Sequence, residues 1–104
     1  MIDFSKKDEI KHTLEEKAEI LKAIAHPTRL CILAMLIRDG ESNVSDIQCC
    51  LDVPQPTVSQ HLTRLKAAGI VGAARSGTEI IYRIKNAEAR EIVEFMLDSK
   101  QNIK

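Results

Sequence analysis

Apolar residues recur every three to four positions along most of this chain and at every second position over one stretch, 70–84. The first period predicts helices and the second predicts strands. Asp8 to Ala25 reads as a helix, with Ile10, Leu14, Lys17, Leu21 and Ile24 at helical spacing, Ala18 and Ala25 beside them, and Glu15, Glu16 and Glu19 on the wet side. Pro27 ends that run and suits the first turn of a second helix, about Pro27 to Arg38, whose inner stripe is Leu30, Leu33, Ala34 and Ile37. Gly40 supplies its left-handed stop. Asn43 then caps a third helix, with Asp46 in its first turn and Val44, Ile47 and Leu51 as its apolar row.

After Asp52-Val53-Pro54 a fourth helix follows at once, with Gln55 as cap, Pro56 at the first helical position and Val58, Leu62 and Leu65 as its buried row. Gly69 ends it, and Ile70 folds back as the apolar partner of that cap. Ile70 to Arg75 and Thr78 to Ile84 read as two strands around Ser76-Gly77, with Ile80, Tyr82 and Ile84 facing inward. Asn86 caps a last helix, Ala87 to about Asp98. The expected fold is mostly α with one β-hairpin (α+β), a winged helix-turn-helix in the order α-α-α-α-β-β-α.

A chain of 104 residues is expected to form one domain, 1–104, with a small core. The first helix and Ile92, Val93, Met96 and Leu97 of the last carry more apolar surface than such a core needs. Helices 8–25 and 87–98 are therefore expected to pair two chains into a homodimer. No apolar run approaches the ~18 residues of a membrane span. The first eight residues also lack the apolar stretch of a secretory signal, so the expectation is a cytosolic protein without a membrane partner. An odd number of cysteines, three, does not make a disulfide framework.

Net charge is zero, but its distribution is uneven. From Pro54 to Lys85, Arg64, Lys66, Arg75, Arg83 and Lys85 stand against Glu79 alone, while both ends of the chain are acidic. One basic segment between acidic ends is expected where one face meets phosphate.

Two short helices with a tight turn between them, Asn43–Leu51 and Pro56–Ala68, have the lengths of a helix-turn-helix. In that motif the N-terminal part of the second helix enters the major groove. Gln55, Thr57, Ser59, Gln60, His61, Thr63 and Arg64 fall on or near that end, beside Pro56. Short hydroxyl and amide side chains suit base edges and phosphates; Gln60 matches adenine, and Ser59 or Thr63 a base edge or phosphate. Arg75, with Gly77 beside it at the hairpin tip, would reach the sugar-phosphate backbone or the adjacent minor groove. A solvated polar helix explains the fourth helix alone, but not the helix pair, basic segment and basic tip together. The competing class is a winged-helix module that docks a protein through the same surface. No nucleophile–base pair, phosphate loop or paired carboxylates point to an enzyme.

Ala25-His26-Pro27-Thr28-Arg29-Leu30, Pro54-Gln55-Pro56-Thr57-Val58-Ser59-Gln60-His61-Leu62, Leu65-Lys66-Ala67-Ala68-Gly69-Ile70-Val71 and Arg75-Ser76-Gly77 with Ile81-Tyr82 resemble the ArsR/SmtB family of bacterial repressors. The resemblance covers about Ala18 to Leu97. It implies an elongated winged-helix homodimer joined through its first and last helices, binding operator DNA and repressing an operon until a metal, sulfur or redox signal relieves it.

Metal-sensing members carry cysteines where this chain has Asn43 and Ser45, and others bind zinc where it has Asn86, Glu88, Ser99 and Asn102. Zinc prefers imidazole and thiolate, so neither metal site transfers, and no cofactor is expected. Cys31, Cys49 and Cys50 remain. Cys50, one turn from Ile47, and Cys31, beside the inner stripe, are expected to be buried structural thiols, with Cys49 nearer the surface. The alternative is a thiol sensor built from Cys31 with Cys49 or Cys50. His26, before the proline, reads as a capping or packing histidine. His61 belongs to the DNA-facing helix.

Overall fold

The computed structural model describes residues 3–103, with side chains described as far as Asp98. Helix α1 (Lys7–Ile24) meets α2 (Pro27–Asp39) at a 91° bend. The corner follows from Pro27, which has no N–H to continue α1 but sits well in the first turn of α2. His26 caps α2, its Nδ1 accepting the Thr28 N–H at 3.1 Å. Gly40, at φ +84°, closes α2 by donating to the Leu36 carbonyl.

Strand β1 (Ser42–Asn43) leads directly into α3 (Val44–Leu51), and α4 (Gln55–Ala67) follows after three residues. As expected, Asn43 is the cap of α3, its Oδ1 accepting the Asp46 N–H at 2.8 Å. The start of α4 differs from the expectation by one residue. Pro54, not Gln55, is the cap: its carbonyl already accepts from Thr57 and Val58, which draws Gln55 and Pro56 into the first turn. Gly69 takes φ +75°, and the Ile70 N–H returns to the Leu65 carbonyl at 3.0 Å, which turns the buried Ile70 into the core.

Strands β2 (Val71–Ser76) and β3 (Glu79–Ile84) form the hairpin, with Gly77 at φ +65° in its turn. The sheet has three strands, in the order β1-β3-β2, all antiparallel. The third strand was not legible in the sequence, because two residues are too few to show a period. Ile80 is a correction: paired with Arg75 near the hairpin tip, it is exposed, and only Tyr82 and Ile84 pack against the core. Helix α5 (Ala87–Ile103) begins on Asn86, whose Oδ1 accepts the Ala89 N–H at 2.8 Å.

The core is Ile32, Leu33 and Leu36 of α2, Ile47 of α3, Val58, Leu62 and Leu65 of α4, then Ile70, Val71 and Val93, all essentially without solvent exposure. Burying each such side chain contributes ~1.5–3 kcal/mol. Helix α1 adds only Ala23 and Ile24 to this buried set. Along the rest of α1 the apolar row leaves Leu14 and Leu21 exposed. The radius of gyration is 15.4 Å, against about 13 Å for a compact domain of this size. No single helix among the described residues is long and apolar enough to cross a membrane.

Candidate nucleic-acid interface

Helix α4 lies on the core by Val58, Leu62 and Leu65, spaced i, i+4, i+7, all fully buried. That orientation turns the opposite face outward. Gln55, Pro56, Gln60 and Thr63 are exposed, and Thr57 and Ser59 are half-buried. The Gln60 amide therefore stands clear in the second turn. The Thr63 hydroxyl donates to the Ser59 carbonyl at 2.9 Å, so it faces outward only as an acceptor. Arg64 is half-buried in the last turn with Lys66, where cations suit the carbonyl end of the helix, rather than near its N-terminus.

The hairpin stands beside this helix. A shallow groove of about 240 Å³ runs between them, lined by Asn43, Val44, Ser45, Gln55, Thr78, Glu79 and Ile80. Arg75, paired with Ile80 across the hairpin, and Gly77 in its turn are exposed. Two contacts tie the hairpin to the segment that leads into α3. Asn43 Nδ2 donates to Glu79 Oε1 at 2.9 Å while its Oδ1 caps α3, and Arg83 Nη2 donates to Glu41 Oε1 at 2.8 Å. Arg83 is thus paired with an acid outside the basic segment, so the segment offers fewer unmatched cations than the linear tally implied. The two pairings join residues 36 and 42 apart, which no local pattern announces.

His61 takes a different place from its neighbours. Its ring is half-buried and turned to the α1–α2 corner, with its centroid 4.4 Å from that of His26 and its Nδ1 3.2 Å from Arg29 Nη1. Burial, with the charges of His26 and Arg29, holds His61 below the usual histidine range. His61 lies on α4, and its inward contact joins residues too far apart for any local pattern to show.

The thiols correct two expectations. Cys31, Cys49 and Cys50 are all exposed. Helix α3 is eight residues long and buries Ile47 alone, so Cys50 in its last turn reaches the surface beside Arg38. Cys31 lies on the side of α2 away from Ile32 and Leu33. Among the described residues, no three His, Cys, Asp or Glu side chains come together as a metal site. The side chains of Ser99 and Asn102 lie outside the described residues.

The family model described as "Bacterial regulatory protein, arsR family" matches residues 26–72, from the α2 cap through the first residues of β2. The transcriptional repressor PagR of Bacillus anthracis is 39% identical over 84 residues, 81% of this chain and 84% of that protein. The chain belongs to the arsR family of bacterial regulatory proteins. The crystal structure of PagR superposes with a TM-score of 0.77, covering 83% of this chain and 98% of that one. The homodimeric winged helix-turn-helix DNA-binding domain of Mb0332 from Mycobacterium bovis is 30% identical with a TM-score of 0.81, covering 92% and 88%. The repressor SmtB of Mycobacterium tuberculosis is 44% identical over 80 residues, 77% of this chain. This arsR-family chain spans 58% of the length of SmtB. The family is one of regulators, not of enzymes, and the winged-helix architecture read from the sequence is the one found.

Proposed function

We propose that this protein is a DNA-binding transcriptional repressor of the cytoplasm that acts as a homodimer on a roughly palindromic operator. The observation that carries this reading is the division of α4 into a fully buried apolar edge and an exposed polar edge led by Gln55 and Gln60. In this role Gln60, Thr57 and Ser59 meet base edges or phosphates, beside Gln55 and Pro56 in the first turn. Arg75 and Gly77 bring the wing to the sugar-phosphate backbone, and Arg64 adds charge at the far end of α4.

The dimer rests on α1 and α5. Leu14 and Leu21 of α1 and Phe95 and Met96 of α5 are exposed, Phe95 at 73%. Large apolar side chains gathered on two neighbouring helices favour a covered face. A twofold pair supported in this way sets its two α4 helices to enter successive major grooves, about 34 Å apart. The three exposed thiols give such a repressor surface targets for a thiol-reactive signal; no cofactor enters this reading.

Selection of duplexes from fragmented genomic DNA, followed by affinity measured against salt, tests the reading. The expected result is a recovered, nearly palindromic site, bound two chains per duplex. Its affinity should fall steeply with salt, with a log–log slope of about −0.9 per phosphate neutralised. Failure to retain any duplex at low salt, or a flat salt dependence, would count for the protein-docking alternative.

A further inference from the structure

The recognition helix is joined to the α1–α2 corner by a short polar chain. Arg29 Nε donates to the carbonyl of Ala23, in the last turn of α1, at 2.6 Å. The same guanidinium approaches His61 of α4 through Nη1, at 3.2 Å from Nδ1. Arginine has only N–H donors, so His61 Nδ1 is the acceptor and carries no proton. The His26 ring packs against that of His61, tilted by 44°, and its own Nδ1 is engaged in accepting the Thr28 N–H. One residue of α4 is thus held by both sides of the bend between α1 and α2.

We infer that His61 is a positioning residue of the DNA-binding surface, fixing α4 to the α1–α2 corner through Arg29 and His26 while its ring is neutral. The inference rests on the proposed docking of α4 in DNA. A protonated His61 would turn an N–H toward the Arg29 N–H and set a cation against a guanidinium. The groups that act on His61 are His26 at the corner and Arg29 of α2. Helices α1 and α3 and strand β2 also pack on α4, and no carboxylate from them is hydrogen-bonded or ion-paired to the ring among the described residues. Nothing in the cluster therefore compensates the added charge. The sign follows from the lowered pKa. The folded chain binds fewer protons than the unfolded one, so this stabilisation is full above the ordinary histidine value near 6.5 and is lost as pH falls below it.

A direct phosphate contact by His61 would behave in the opposite way, because protonation would strengthen it. The test compares the full-length protein with H61Q and H61A, using one mixed-sequence duplex at pH 7.5 and pH 5.5, with a salt series at each. Glutamine still offers an oxygen to Arg29 but does not titrate. Wild-type affinity is expected to fall roughly fivefold on acidification, the lower end of couplings between sites. H61Q should stay close to wild type at pH 7.5 and lose most of that fall. H61A should bind several-fold more weakly at both pH values with an unchanged salt slope. Affinity that rises on acidification, or a salt slope smaller by about one charge in H61A, would make His61 a phosphate ligand and overturn the inference. So would variants that match the wild type throughout. If no protein binds the duplex, the docking of α4 fails, and thermal unfolding of the unbound chains still decides the His61 link. The melting temperature of the wild type should then drop further than that of H61Q between those pH values, and equal drops refute the link.

Discussion

Helices α4 and α1 are both amphipathic, yet they use their apolar rows in opposite ways. In α4 the row Val58, Leu62, Leu65 is fully buried within one chain, and the polar face is what remains outside. In α1 the row ends in the core at Ile24 but leaves Leu14 and Leu21, 46% and 52% exposed, facing outward. A helix whose apolar row is satisfied at home is a rigid platform for polar recognition. One whose row is unsatisfied is a surface waiting for apolar company. The same contrast separates the two ends of the proposed activity, with DNA at α4 and a second copy of the chain at α1 and α5.

Substitutions can break that contrast from either side. The largest effect is expected for Leu62→Ala, which removes a fully buried side chain from the inner edge of α4. It should cost ~2–5 kcal/mol of folding stability, read as a fall in the chemical-denaturation midpoint. A loss under 1 kcal/mol would mean that α4 is not anchored as described. On the other helix, Leu21→Glu is expected to leave the fold of the single chain nearly unchanged but to weaken a dimer by ~2 kcal/mol or more, as for a residue central to an interface. Sedimentation against concentration checks this, and an unaltered dimer would move the pairing face away from α1.

Smaller effects sharpen the outward face of α4. Gln60→Ala should lower discrimination among operator bases by ~1–3 kcal/mol, the worth of a good bidentate contact, with little change in melting temperature. A gel-shift series over single-base operator variants would show whether any base preference is lost. Arg75→Ala should act least selectively, weakening all duplexes alike and reducing the salt slope by about one unit per subunit. A change in base preference instead would place Arg75 in a groove rather than on the backbone.

Much of the fold was legible because its signals are local. The caps Asn43 and Asn86, the corner at Pro27 and the stop at Gly69 each act within a few residues and lie where the sequence placed them. The shift of the α4 cap from Gln55 to Pro54 shows the limit of that reading, since one carbonyl outweighed side-chain preference. The candidate interface was legible in part. Gln60 and Arg75 are outside as expected, whereas Arg83 is paired with Glu41 and His61 faces His26 and Arg29. Ile80, Cys31 and Cys50 were misjudged because apolar or thiol character gives a preference for burial but not the neighbour that would bury them.

The sequence by itself determined the five helices and the two hairpin strands, where the first four helices stop, and which edge of α4 seeks the core. Those outcomes depend on periodicity, capping and proline or glycine geometry over four to seven residues. Only the tertiary structure decided that β1 joins the sheet, that α1 leaves its row uncovered, and that His61 couples α4 to the α1–α2 corner. Each of these joins residues more than 30 positions apart or depends on surface left over after the core is filled. No short window of sequence contains that information.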